Sequence, residues 1–418
     1  MISFQQGFEQ VMATAAVTPR RETVSLADAT GRIAACTQYS TIDVPSCDNC
    51  AMDGYAVRSA EIALNKHYSV SQRIAAGDKA QTLVEDSIAR IFTGAMVPAG
   101  ADAVILQEDT VVDPQAEPSA TIGFTELPKV GQHIRLAGQD IKKGAVVVEQ
   151  GRRLTSGDIG LLASVGIAEL DCYAPINVAF FSTGDELKNP GDTLSAGQIY
   201  NSNRYFLAAR IKALGAIPVD LGCCPDTAEA TREFLINACE QADCVVTTGG
   251  MSVGEEDYVR QQVESLGSIL FWKLAIKPGK PVAFGDIQGT PFFGLPGNPV
   301  SSFVTFHLLV RSWLLKTMGY ADSRHIDLSQ STLGAIAAKT TFDWHNRGKR
   351  LDFLRGQVSI NQKGELEVSL YHNQSSGVLS SIAQCNVLIP VQPNEQWQAG
   401  DTCRVIALSA FGELNISA

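Results

Sequence analysis

No uninterrupted apolar run in the 418-residue chain approaches the roughly 20 residues that cross a bilayer, which excludes a helical membrane-spanning role. The chain also lacks a phosphate-loop lysine motif and any G-x-G-x-x-G opening a helix, so neither a Walker site nor a standard dinucleotide fold is supported. Basic residues are the minority. The 33 Lys and Arg face 44 Asp and Glu, a net charge of −11, which argues against broad binding to nucleic acid or anionic lipid. An anionic ligand would need its positive charge gathered locally. Histidine is scarce as well: six are dispersed, none in an H-x-x-x-H arrangement, so each reads as surface or core before ligand. The amino terminus, MISFQQGFEQVMATAAV, has neither the basic start nor the continuous apolar stretch of a secretory leader. A cytoplasmic location is the expectation, with the ten scattered cysteines reduced.

What is present is a globular composition, 45% hydrophobic and 18% charged, on a chain long enough for about three domains. Phe4, Phe8, Val11, Met12 and Ala15 recur at helical spacing, and residues 1–43 read as this helix followed by short extended pieces. Over 44–141 the pattern changes to short β runs (ARIFTG, DAVILQED, ATIGFTEL, HIRLAG) separated by Gly and Pro turns. The segment LTSGDIGLLASVGIAEL predicts a helix that Thr155 or Ser156 can cap and Gly166 can end. From 175 to about 325 strands and helices alternate: INVAFFSTG, NSNRYFLAARIKALG, AIPVDLG, DTAEATREFLINACEQA, DCVVTTGG. That rhythm predicts an α/β layer with parallel strands, whose ligands gather at the carboxyl ends of the strands. Short strands return over 326–418, predicting a small β domain.

The candidate chemistry clusters near those strand ends. In FWKLAIKPGKP, Lys273, Lys277 and Lys280 flank a Pro-Gly turn, a plausible anion cradle in an otherwise acidic protein, though a solvated lysine-bearing turn would look the same. The turn GLPGNP (Pro296, Gly297, Asn298, Pro299) then leads into an apolar helix. It can serve as an anion-binding helix start or simply as an entry, with Asn298 capping and Pro299 at the first helical position. Asp185 and Glu186 follow the first predicted strand of the layer, Asp226 the second, and Asp257 the TTGGMS turn that holds Gly249, Gly250 and Ser252. Clustered carboxylates call for a cation, and oxygen ligands beside phosphate suggest Mg²⁺, so Glu186, Asp226 and Asp257 are the candidate metal ligands. Asp226 has a competing role: DTAE is a capping-box pattern with Asp226 as the cap and Glu229 at the third helical position. The glycines of these turns also fit a purely structural role, supplying positive φ angles.

SCDNCAMDGY contains a C-x-x-C at Cys47 and Cys50. A structural zinc site needs four N or S ligands, and no second C-x-x-C or Cys-His pair completes one. A thioredoxin-type pair belongs at a helix start, whereas AMDGY breaks a helix at once. Neither metal nor redox chemistry is expected there.

With CDNCAMDGYAVRS, FSTGDEL, TTGGMSVGEEDY, FWKLAIKPGKP and GLPGNPVSS in this order, the chain resembles the molybdopterin molybdenumtransferases, the MoeA family, related to the carboxyl-terminal domain of gephyrin. The family usually shows an aromatic where Cys47 stands and a serine where Cys50 stands, so the C-x-x-C looks like two replacements within an Asp-Asn…Met-Asp-Gly-Tyr motif. The resemblance implies a multidomain chain. Its central α/β domain would be MogA-like, with a β-rich insertion domain and a small barrel-like carboxyl-terminal β domain. The first domain would be discontinuous, residues 1–43 plus 142–174. It implies a homodimer with the active site between subunits, and it implies Mg²⁺, molybdate and adenylylated molybdopterin as cofactor and substrates. Molybdopterin adenylyltransferase and cofactor-accepting proteins would be the partners. The family's functional acids match Asp53, Asp140, Glu186, Asp226 and Asp257; Thr93, Lys273, Lys277, Pro296, Pro299 and Arg350 match as well. Lys280 joins them on electrostatic grounds. The segment HNQSSGVLSS departs from the family, with Ser375 or Ser376 where a glycine is often found. The rival expectations are the adenylyltransferase step that prepares the pterin, and a gephyrin-like peptide-binding module.

Overall fold

The computed structural model describes residues 1–113, 121–251, 258–321 and 335–408. Helix α1 (Phe4–Thr14) opens on a capping box in which the Ser3 hydroxyl accepts from Gln6 N–H and the Gln6 side chain accepts from Ser3 N–H. Its stripe of Phe4, Phe8, Val11 and Met12 shares a core with the central sheet. Helix α2 (Ser156–Ser164) is capped by Thr155, and Gly166 follows at φ +79 as its pattern predicts. Residues 21–25 pair with 169–173, and 38–39 with 146–148. One small core therefore joins both flanks of the insertion: Val24, Ala34, Val148, Leu162 and Leu170.

The insertion is built on a four-stranded sheet of β1 (Gly54–Val57), β2 (Ser69–Ile74), β3 (Ser87–Ile91) and β4 (Ala103–Leu106), in the order β2-β3-β1-β4. Its two faces bury separate apolar sets, Ile74, Ala89 and Ile91 on one and Val57, Ile88 and Ile105 on the other. This follows from the alternation of side chains along short strands.

The central layer contains β5 (Asn177–Thr183), α3 (Ser202–Leu214), β6 (Ile217–Cys224), α4 (Ala228–Gln241), β7 (Cys244–Thr248), α5 (Tyr258–Leu266), β8 (Gly267–Phe271), β9 (Ala283–Ile287) and β10 (Thr290–Leu295). The sheet order is β6-β5-β7-β10-β9-β8. The four strands β6, β5, β7 and β10 are parallel and end at one edge, as the alternation predicts. Strands β9 and β8 add an antiparallel margin that the alternation does not reveal. Its signal lay in Gln288-Gly289, a two-residue turn with φ +53 and +89, which suits a tight hairpin. The start of α4 also corrects an expectation. Thr227, not Asp226, is the cap, its hydroxyl accepting from Ala230 N–H, and Asp226 lies just outside the helix.

Helix α6 (Pro299–Thr305) enters from the GLPGNP turn with Pro299 at its first position, and continues through Phe306–Val310 into α7 (Arg311–Thr317). The carboxyl-terminal domain is a closed five-stranded barrel of β11 (Ala335–Thr340), β12 (Leu351–Ile360), β13 (Leu366–Leu370), β14 (Val387–Val391) and β15 (Thr402–Ala407). Around the ring β12 pairs with β13, β13 with β11, β11 with β15, β15 with β14, and β14 back to β12. Closure leaves no free edge among these five. The short strand Ile276–Lys277 pairs in parallel with the start of β12, so the lysine-bearing turn of the central layer is stitched to the barrel. No described helix is long and apolar enough to cross a membrane.

Candidate active site

A cavity of about 1030 Å³ opens at the carboxyl edge of the parallel strands, between the central layer and the barrel. The β5 exit contributes Thr183, Gly184, Glu186 and Leu187; the β6 exit contributes Asp226; the β7 exit contributes Gly249, Gly250 and Met251. Gly249 is needed on two counts. Its φ is +89, and a Cβ there would lie 2.6 Å from the Thr183 carbonyl, so only glycine lets the β7 exit lie against the end of β5.

Carboxylates crowd one part of this rim. Asp185 Oδ1 accepts from the Asp226 N–H at 3.3 Å. The thiol of Cys223 is pushed up by burial and then by the negative charges of Asp226, Glu186 and Asp185, so each of the three acids lies within electrostatic reach of it. Glu186 and Asp226 line the cavity itself.

The cations occupy another part. Lys273, Lys277 and Lys280 line the cavity together with Pro278, Gly279 and Pro281, and Arg350 joins them from the barrel. Lys277 Nζ donates to Asp352 Oδ2 at 2.9 Å, and that carboxylate is only 3% exposed. Parallel pairing of Ile276 with Leu351 and Lys277 with Asp352 sets this contact. Arg350 Nη1 donates to the Ile276 carbonyl at 3.3 Å. In a chain of net −11, this is the local gathering of positive charge that an anionic ligand needs.

The GLPGNP turn forms a further wall. Pro296, Gly297 and Asn298 line the cavity, and Pro299 stands behind them as the first residue of α6. Asn298 occupies the cap position, but its side chain does not cap; its Nδ2 donates to Ser376 Oγ at 3.1 Å. The Val300 N–H donates to the Ser376 carbonyl at 3.1 Å, and Asn203 Nδ2 to the Gly297 carbonyl at 2.7 Å. Gln374, Ser375 and Ser376 thus complete the lining from the barrel side.

Asp53, Thr93 and Asp140 are not among the described residues that line the cavity. They sit in or beside the insertion domain. There Asp53 Oδ1 accepts from Thr93 N–H at 2.8 Å and from the Thr93 hydroxyl at 2.7 Å. These two bonds, followed by the nearby Arg90 charge, hold the Asp53 carboxyl below the usual carboxylate range. Asp140 is exposed in a turn, its N–H donating to the Val44 carbonyl. Ser252 and Asp257 lie outside the described residues.

Sequence reasoning missed Thr183, Asn203, Asp352 and Gln374. Asp352 stood within KRLDFLRG, next to a residue singled out, but nothing local reveals a partner 75 residues away. Cys50 is buried with its thiol donating to the Met52 carbonyl, Cys47 is half-buried, and both are free thiols. No group of three or more metal-ligating side chains converges among the described residues. A Cys47→Ser, Cys50→Ser double variant should retain activity within about twofold, since neither thiol is in a disulfide and a serine hydroxyl can donate to the Met52 carbonyl as the Cys50 thiol does. Loss of most of the activity in the double variant would contradict this.

An open pocket at a strand-end edge, acids on one rim and lysines on another, defines a protein that binds multiply charged anions and can neutralise charge between them. Family models match along the chain in sequence: the MoeA N-terminal region (domain I and II) over residues 2–166, a probable molybdopterin binding domain over 179–316, and the MoeA C-terminal region (domain IV) over 337–408. The molybdopterin molybdenumtransferase of Haemophilus influenzae is 40% identical over 407 residues, 97% of this chain and 98% of that protein. That of a Nostoc species is 35% identical over 88% of this chain and 84% of its own. The solved molybdopterin biosynthesis MoeA protein of Pyrococcus horikoshii superposes with a TM-score of 0.80 at 25% identity, covering 97% of this chain and 100% of that one. The chain belongs to the molybdopterin molybdenumtransferase (MoeA) family.

Proposed function

We propose that this protein inserts molybdate into adenylylated molybdopterin, releasing AMP and giving molybdenum cofactor. The observation that carries the reading is the single cavity in which Glu186 and Asp226 share walls with Lys273, Lys277, Lys280 and Arg350. Both reactants are anions, a pyrophosphate joining AMP to the pterin and a tetrahedral oxyanion. The lysines and Arg350, with turn N–H groups, hold these charges. Two bonds form between the pterin's dithiolene sulfurs and molybdenum while an oxo group leaves as water with the two thiol protons. Hydrolysis at the pyrophosphate linkage frees AMP. Preorganised cations lower the cost of the charge that develops on the cleaved phosphates.

Mg²⁺ fits the donor set. Two carboxylates bordering one cavity suit an ion that takes one or two carboxylates and completes its shell with phosphate oxygens and water. Glu186 and Asp226 would hold it, with Asp257 as the further candidate, and it would supply charge neutralisation at the phosphates. Asp53, Thr93 and Asp140 lie apart from the cavity of their own chain, so we place them at the cavity of a second copy in a homodimer. The substrate then arrives from an adenylyltransferase.

The deciding assay follows AMP from adenylylated molybdopterin with and without molybdate. Release should depend on molybdate, fall on chelation of divalent cations and return with Mg²⁺. Accumulation of adenylylated product from pterin and ATP without molybdate would overturn the reading in favour of the preceding step.

A further inference from the structure

Strand β12 carries a second charged residue that the reaction as described leaves unused. Arg355 is 1% exposed; the charge of Asp352 acts on it through space, but among the described residues its hydrogen bonds go to no carboxylate. Its guanidinium donates to three uncharged oxygens: Nε to Ser381 Oγ at 3.3 Å, Nη1 to the Phe353 carbonyl at 3.4 Å, and Nη2 to the Ser375 carbonyl at 3.1 Å. Its backbone is held by the same loop. Gln374 Oε1 accepts from Arg355 N–H at 2.9 Å, and Gln374 Nε2 donates to the Arg355 carbonyl at 2.8 Å.

Burying a guanidinium is costly unless its donors are used, and a flexible apolar side chain would fill the same space on the outer face of the barrel without that cost. What the arginine adds is a rigid fork on the outer face of the barrel, the face it shares with Phe353 and Leu388, that ties β12 to the Gln374–Ser376 loop. The loop's other side is fastened to the start of α6 through Ser376, whose hydroxyl and carbonyl accept from Asn298 and Val300. Between these two fastenings, Ser375 and Ser376 line the cavity that also holds Lys277, Lys280 and Arg350.

We infer that Arg355 is a positioning residue for the oxyanion end of the cavity: by gripping the Ser375 carbonyl it sets the Gln374–Ser376 loop so that its serine hydroxyls can donate to molybdate. The inference rests on the proposed reaction and extends it to a residue that touches no substrate. Its loss should fall mainly on one of the two substrates, because Arg355 reaches the cavity only through the barrel-side loop, while the acid rim and the β7 exit are built from other elements.

The test is steady-state AMP release by the purified full chain, together with equilibrium dialysis of molybdate, for Arg355→Met, Arg355→Lys and a Ser375→Ala, Ser376→Ala double variant. Arg355→Met should raise the KM and dissociation constant for molybdate by about tenfold or more, the loss expected for charge-fixed hydrogen bonds. The KM for adenylylated molybdopterin should stay within about twofold. Arg355→Lys should recover only part of the loss, since an ammonium group cannot span Ser381 and Ser375 together. A merely structural role would lower the active fraction and leave both KM values unchanged, and that result overturns the inference. If Arg355→Met loses its thermal unfolding transition, the serine double variant decides, and wild-type molybdate affinity in it overturns the inference. Failure of the wild-type chain itself to bind molybdate overturns the proposed reaction instead, so the two failures are distinct.

Discussion

Asp53→Ala should purify as a folded protein whose thermal midpoint hardly moves, and it should release AMP in a molybdate-dependent manner at least about 10² times more slowly than wild type. The structural half of this expectation comes from exposure. Asp53 is on the surface and, among the described residues, its carboxylate accepts only from Thr93, which is itself exposed, so its removal leaves no buried group unsatisfied there. The functional half comes from the state of that carboxylate. Two donations from Thr93 and the Arg90 charge keep it ionised and oriented. A depressed carboxyl gives a stabilisation that is present above the unfolded value and lost only as pH falls through the lower folded one. Thr93→Val keeps the N–H donor and drops the hydroxyl, so the Asp53 carboxyl should return toward its ordinary value. The acid limb of the pH–rate profile should then move to higher pH.

The same variant tests the dimer. In a two-fold symmetric pair each chain lends its insertion domain to one cavity and receives its partner's at the other. Mixed expression of an Asp53→Ala chain with a Lys277→Met chain then creates some dimers with one intact site. Random pairing predicts recovery to about a quarter of wild-type activity. No recovery, with mixed dimers demonstrated, would place Asp53 at the cavity of its own chain and remove the two-subunit reading.

How far the sequence reached depended on the range of each interaction. Local signals were legible: the helical spacing of Phe4, Phe8, Val11 and Met12, the Thr155 cap, the Pro299 helix entry and the parallel alternation from residue 177 onward. Residues singled out in separate motifs also come together in space, since Glu186, Asp226, Lys273, Lys277, Lys280 and Arg350 line one cavity. Competition between neighbouring capping residues was not legible. Asp226 and Thr227 both carry side-chain oxygens, and backbone geometry chose Thr227. Contacts across domains were further out of reach. The pairing of Lys277 with Asp352, and the fastening of Ser376 to Asn298, depend on how the barrel docks against the layer, which no short motif encodes.

Lys277→Met should slow AMP release by about 10²–10³, the loss typical of removing one preorganised donor from charge that develops in a reaction. It should also destabilise the protein, because Asp352 would be left as a buried carboxylate without its ammonium partner. Lys277 itself is half exposed and so partly screened, which puts the cost at about 1–3 kcal/mol, below that of breaking a fully buried pair. These two effects can be pulled apart. In the Lys277→Met, Asp352→Asn double variant the buried charge is gone, so the thermal midpoint should climb back toward wild type while AMP release stays at the level of Lys277→Met. Asp352→Asn alone should fall between wild type and Lys277→Met in activity, since the ammonium remains in the cavity but loses the carboxylate that orients it. If instead activity returned with stability in the double variant, Lys277 would be a strut between layer and barrel. The anion-binding role of the lysine cluster would then rest on Lys273, Lys280 and Arg350 alone.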